Sequence, residues 1–359
     1  MYKNNEWVLF ILMVSIITIS PIALADLDAG RAAQKSGDYA KALAEYQPLA
    51  LKGDAKAQNN LGIMYLLGQG VPQNFELARQ WYQRAADQGD IGGESNLGEL
   101  YEQGRGVSKD DNIAFKWYIL AAQQGSVNAQ IKIGNMYQQG RGVTRSNTDA
   151  FTWLQKAALQ GNAFAQLKIG TFYHSGIGVI KDDTAALQWF QKAADQNSMD
   201  AQEALGEIYR QGLGVPQNYS QAAQWFRAAA EQGDPLAQSN LAALYHNGLG
   251  VPQNDVEAVN WYRKAAEQKY PFAQNKLGFM YATGLGVTQD YAQALDWFQK
   301  AGYLGDATAQ FNAGQQYEKG QGITADRDTA IRWYQRAAMK GNIDAKDALS
   351  RLGVPVDHP

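Results

Sequence analysis

The chain contains no cysteine. That absence removes a disulfide framework, a thiolate metal site and a Cys nucleophile together, and it is compatible with any compartment. Charge of one sign is equally scarce. The 32 Lys and Arg residues stand against 35 Asp and Glu, with no long run of either. A nucleic-acid binder normally carries a basic stripe or a high pI, so nucleic acid is not an expected partner. Histidine occurs three times, at His174, His246 and His358, and no His-Glu-x-x-His is present. His174 and His246 hold the same place in an internal repeat two copies apart. At roughly one helix diameter per copy, that is about 20 Å, too far to share a metal. No Ser-x-x-Lys occurs, so the serine acylation device of penicillin-recognising enzymes is missing. The expectation is no catalytic residue, no metal and no cofactor.

Long apolar runs are absent except at the start, where residues 7–19 are almost unbroken in hydrophobicity after Lys3. Pro21 and Ala23-Leu24-Ala25 follow, placing small residues at the −3 and −1 positions of a cleavage site before Asp26. Residues 1–25 are therefore expected to be a signal peptide, cut between Ala25 and Asp26. The run is shorter than the roughly 20 residues that span a bilayer, although an uncleaved anchor is the rival reading. With no cysteine after it, bacterial lipoprotein attachment is excluded. The expected location is periplasmic or secreted, with no membrane span once the segment is removed.

What the chain has in abundance is periodicity. Eight of nine tryptophans, from Trp81 through Trp117 to Trp333, are spaced by 36 residues without an insertion or deletion. Tyrosine keeps the same step from Tyr65 to Tyr317. Eight repeats follow: 55–90, 91–126, 127–162, 163–198, 199–234, 235–270, 271–306 and 307–342. Each begins after a capping residue such as Asp54, Asp90, Asn162, Ser198 or Asp234, and the spacing of Ala57, Leu61 and Tyr65 marks one helical face. A Gly-x-Gly, first at Gly68 and Gly70, ends that helix. A second cap such as Asn74 then opens a second helix carrying Ala78, Trp81, Tyr82, Ala85 and Ala86. Helices this short are marginal alone, so the tryptophan and the residue after it are expected to be buried against neighbours. Each such ring offers about 150–250 Å², or roughly 4–6 kcal/mol gross. Gly62 and its equivalents lie mid-helix, where close backbone contact is expected. Residues 26–54 are expected to form a capping helix pair, and residues 343–359 a capping helix with a frayed tail from Gly353.

The pattern Ala-x-Ala-x-x-x-Leu-Gly-x-x-Tyr-x-x-Gly-x-Gly-Val, seen over residues 55–71 and completed by Ala78, Trp81-Tyr82 and Ala85-Ala86, resembles the Sel1-like repeat family, a relative of the tetratricopeptide repeat. The stretch from Gly37-Asp38-Tyr39 to Ala50 looks more like a tetratricopeptide second helix. The resemblance implies an all-α, right-handed superhelical α/α solenoid with capping helices that binds proteins, often bacterial and exported. Some relatives are cysteine-rich proteins linked to β-lactams; this chain lacks those cysteines.

In a repeat, positions fixed in every copy serve the fold, and variable ones are free for a partner. Positions 2, 5, 9 and 12 of the first helix vary most and share a face, which by family analogy lines the concave surface. Their occupants give the candidate partner-binding residues: Ile131, Phe164 and Leu167; Leu236, Phe272 and Phe279, extended by Phe311; and a charged stretch with Glu203, Glu207 and Arg210 beside Asp200. The alternative is that position 2 or 5 packs against a neighbouring repeat. The expected function is a monomeric, non-enzymatic envelope scaffold holding a protein or peptide. A surface-exposed or released protein engaging a host protein such as an immunoglobulin is the second reading. An enzyme acting on cell wall or β-lactams is the third.

Overall fold

The computed structural model of the protein describes residues 25–355. The expected signal segment, apart from Ala25, and residues 356–359 lie outside the described residues. Every regular element among those described is an α-helix. A first compact unit, ending at Ser126, holds α1 (Leu27–Ser36), α2 (Tyr39–Leu51), α3 (Ala55–Leu67), α4 (Phe75–Ala86), α5 (Ile91–Gln103) and α6 (Asp111–Gln123). A second, beginning at Val127, opens with α7 (Val127–Gln139), α8 (Asn147–Leu159), α9 (Ala163–Ser175), α10 (Asp183–Ala194), α11 (Met199–Gln211) and α12 (Tyr219–Glu231). It continues with α13 (Pro235–Asn247), α14 (Asp255–Glu267), α15 (Pro271–Thr283), α16 (Tyr291–Tyr303), α17 (Ala307–Lys319), α18 (Arg327–Met339) and α19 (Ile343–Arg351). Each unit is a stack of helix pairs, in which helices touch their chain neighbours and successive first helices meet.

Local chemistry sets the boundaries. Second-helix caps accept backbone N–H groups as their side chains allow: Asn74 from Leu77, Asp182 from Ala185, Asp326 from Thr329. First-helix caps do the same at Asp54, Asn162 and Asp234. Ser198 is an exception, since its side chain makes no capping bond. The inter-helix loop closes on the periodic tyrosine, whose carbonyl accepts from the second cap, as in Asn74 N to Tyr65 O at 2.9 Å and Asn254 N to Tyr245 O at 2.9 Å. At Gly106, Gly178, Gly214, Gly250, Gly286 and Gly322 the second glycine of the Gly-x-Gly lies against the opening turn of the preceding repeat's second helix. A Cβ on Gly250 would stand 2.2 Å from the Tyr219 carbonyl carbon.

The core corrects two expectations. It is the residue after the tryptophan that is buried: Tyr82 and Phe226 are 0% exposed and Phe190 3%. The tryptophan is only half-buried in six repeats, Trp189 included, and buried at Trp261 and Trp333. It lies against the preceding repeat, with a cation three residues on covering its ring in most copies, as Lys192 does Trp189 at 4.1 Å and Lys264 does Trp261 at 3.8 Å. The mid-helix glycines are crowded by that same buried side chain rather than chiefly by backbone. A Cβ on Gly62 would meet the Tyr82 ring at 2.6 Å, and one on Gly206 the Phe226 ring at 2.4 Å.

A second periodic device is a ladder of buried amides. The glutamine at position 4 of the first helix donates back to the previous repeat: Gln166 to Ala158 O at 3.2 Å, Gln238 to Ala230 O at 3.0 Å. Its own carbonyl accepts from a glutamine at position 34, as from Gln196 at 2.8 Å and Gln268 at 3.0 Å. In repeats four and six the buried amide is thereby satisfied on both ends.

The ends close by polar contacts. Glu45, where the repeats carry tryptophan, accepts from the Asp26 N–H at 2.8 Å. Arg351 of α19 grips Glu318 through two bonds of 2.6 and 2.8 Å. The chain is not frayed at Val354, whose N–H donates to Leu349 O at 3.0 Å and whose side chain packs on the last core cluster. No helix among the described residues is long and apolar enough to cross a membrane.

Candidate functional site

The variable face separates by position. Position 5 points towards the following repeat. Ile131, Leu167 and Phe311 are half-buried there against three different core clusters. The polar occupant Asn275 is buried and accepts from Asn312 at 3.0 Å in the next first helix. Positions 2 and 9 point outward. Phe164 and Phe272 are each 45% exposed, Phe279 43% and Leu236 39%. Lysines four residues on reach over two of these rings, Lys168 to Phe164 at 5.4 Å and Lys276 to Phe272 at 5.2 Å. Tyr270 lies beside Phe272, with centroids 6.5 Å apart.

Between α9 and α11 the face sinks into a cavity of about 630 Å³. Leu167, Thr171 and His174 form one wall, and Asp200, Glu203 and Glu207 the other. The structure thus brings Leu167, Glu203 and Glu207 together. Ile131 sits in the α7 copy and Phe311 in the α17 copy, apart from that cavity. Arg210 holds Glu207 through two bonds of 2.7 and 2.5 Å, and this hydrogen bonding keeps the Glu207 carboxyl below its ordinary range. Gln211 also donates to Glu207. Glu203 has no such cation. Burial first, then the neighbouring charges of Asp234, Glu207 and Asp200, push its pKa up to about 7.

Sequence reasoning missed Asp234 and Tyr270 as members of this surface, because both precede a first helix and read as a cap and a loop. The Phe–Lys pairs it also missed were readable from their i, i+4 spacing. His174 and His246 are tied to the opening residues of the second helices, to Asp183 at 2.8 Å and Asp255 at 2.6 Å. The variable face offers aromatic contact area and carboxylates able to receive a cation.

A stack of helix pairs with a variable, partly apolar face defines a repeat scaffold. The family model of the Sel1 repeat matches residues 55–90, 93–126, 127–162, 163–198, 200–234, 235–270, 271–306 and 307–342, and the chain belongs to that family. It is similar to a protective antigen present in uropathogenic Escherichia coli strains, which displays the SLR fold. Identity is 31%, with 92% of this chain and 84% of that one covered, at a TM-score of 0.74. It is also similar to a Sel1 repeat protein from Oxalobacter formigenes, at 34% identity over 86% of this chain and 90% of that one, TM-score 0.71. No curated protein matches it.

Proposed function

We propose that this Sel1-repeat scaffold is a non-enzymatic, monomeric binder of a protein or peptide, held along the first-helix face of repeats four to seven. The observation that carries the reading is the set of exposed large apolar side chains on that face, Phe164, Leu236, Phe272 and Phe279. Apolar groups clustered on a surface are where binding energy concentrates. The carboxylates of Asp200, Glu203 and Asp234 between them favour a segment that alternates apolar anchors with Lys or Arg. The signal peptide expected over residues 1–25 supports a periplasmic or secreted site of action.

Crosslinking in the native organism, followed by titration of the purified partner, tests this. The Phe272→Asp, Phe279→Asp double variant should bind at least about tenfold more weakly, since each lost anchor is worth more than about 1 kcal/mol. Equal affinity, with the variant's helical content intact, would remove the groove from consideration. A second reading, exposure at the cell surface to a host protein, is favoured by the similarity to a protective antigen. Protease treatment of intact cells separates the two. Cleavage without breaking the outer membrane supports surface display, and full protection supports the periplasm.

A further inference from the structure

The amide ladder breaks in the seventh repeat. Gln274 keeps its first bond, Nε2 donating to Ala266 O at 3.0 Å, which fixes the orientation of the amide. At position 34, however, stands Leu304, which has no donor. Gln274 is 3% exposed, and its Oε1 has no hydrogen-bond partner. Buried carbonyls are rarely left this way.

The missing glutamine would have served a second acceptor. In repeats four and six it also donates to the carbonyl of the next-to-last residue of the previous repeat, Gln196 to Gly161 O and Gln268 to Gly233 O, both at 2.9 Å. The corresponding residue before repeat seven is Lys269. It takes the left-handed φ of 63° that glycine occupies at the other repeat ends except Asn197. A lysine held there is strained. At this place a cleft of about 450 Å³ opens, lined by Gln274, Lys269, Trp297, Lys300, Tyr303 and Leu304 among others. Its walls are largely apolar, and Tyr303 and Leu304 are 70% and 50% exposed. In repeat eight position 34 is Lys340, whose side chain carries a donor, and Gln310 Oε1 is unpartnered there too; the Leu304 side chain carries no donor at all.

From this geometry we infer that the cleft at the seventh repeat binds a primary amide on an apolar stem. Its –NH₂ takes the place of the absent glutamine, donating to Gln274 Oε1 and towards the Lys269 carbonyl, while the stem lies against Trp297, Tyr303 and Leu304. A small aromatic carboxamide and an Asn or Gln side chain presented by a protein partner share this chemistry. The walls of the cleft come from the second helices α14 and α16, and Gln274 lies on the buried side of α15, away from its exposed Phe272, so the site does not rest on the groove described above.

Calorimetric titration of the purified chain with benzamide tests the inference, with N,N-dimethylbenzamide as the probe that lacks donors. Benzamide should saturate one site, and the dimethyl probe should bind at least about tenfold more weakly, the loss expected when a buried acceptor goes unmet. Leu304→Gln refills the cleft from within. It should abolish benzamide binding while raising the thermal midpoint. Gln274→Leu removes the acceptor and should bring the two probes close to equal. Equal binding of both probes by the wild type, undiminished benzamide binding by Leu304→Gln, or no saturation at millimolar probe would each overturn the site. A glutamine-containing peptide titrated in parallel distinguishes the sources: tighter binding than benzamide marks a protein partner, weaker binding a small molecule. Phe272→Asp should leave every titration unchanged, so failure here and failure of the groove are separate results.

Discussion

At the residue scale, Glu203 is the group whose chemistry the fold alters most visibly on the candidate face. Its carboxyl is pushed up to about 7, by burial and then by Asp234, Glu207 and Asp200. A carboxyl that binds its proton more tightly in the folded state than in the unfolded one favours folding at low pH. That contribution is full below the unfolded value near 4.5 and is lost as pH rises towards 7. Glu203→Gln should therefore be more stable than wild type at pH 8, by about 1 kcal/mol once solvent screening is allowed for. The difference should vanish near pH 4. Urea melts at the two pH values check this, and a variant destabilised equally at both would show that Glu203 acts through packing instead. The same acid illustrates what was readable beforehand. Its place on a variable helical face was evident from copy-to-copy comparison, but its environment was not, because Asp234 comes from the next repeat and nothing in a single copy announces that neighbour.

At the element scale, the repeat is held by features of two ranges, and only one of them is visible in a linear chain. Caps and helix ends are local: Asn74 bonds Leu77 three residues away, and Gly68 closes α3 in the left-handed conformation, so both could be assigned from type and spacing. Position 5 and the amide ladder are not local. Asn312 reaches Asn275 across 37 residues and Gln196 reaches Gln166 across 30. The periodic glutamines therefore show nothing of this pairing until the helices are stacked. Nothing in the structure explains why Ser198 fails to cap. The two glycines of this fold can be separated by experiment. Gly250 and Gly233 both have positive φ, 69° and 105°, but a Cβ on Gly250 would stand 2.2 Å from backbone of α12, while one on Gly233 meets nothing within 4 Å. Gly233→Ala should cost only the conformational penalty, about 1–2 kcal/mol. Gly250→Ala adds displacement of a backbone contact between repeats and should cost at least about 2 kcal/mol more. Chemical denaturation of the pair measures the gap; equal losses would mean the loop and the α12 N-terminus part without cost.

At the scale of the whole molecule, stability is distributed along the helix pairs of each compact unit, because within a unit each repeat leans only on the copies beside it. Phe190 and Trp189 make the consequence measurable. Phe190 is 3% exposed in a cluster with Ala201, Leu205 and Ile208 of the next first helix, whereas Trp189 is half-buried under Lys192. Phe190→Ala should cost about 3–5 kcal/mol, as emptied core sites do. Trp189→Ala should cost about 1–2 kcal/mol, the partial burial and cation contact it gives up. The larger loss falls on α9 to α12, so hydrogen exchange should accelerate there while amides of α1 to α6 keep their wild-type protection. The unfolding transition of Phe190→Ala should broaden or split, since distant copies no longer melt together with the weakened ones. Exchange that rises uniformly from α1 to α19 would show a single cooperative unit, and the nearest-neighbour account of this solenoid would then be wrong. If instead Trp189→Ala proved the more damaging of the two, the cation-covered ring, rather than the residue behind it, would be what joins one repeat to the last.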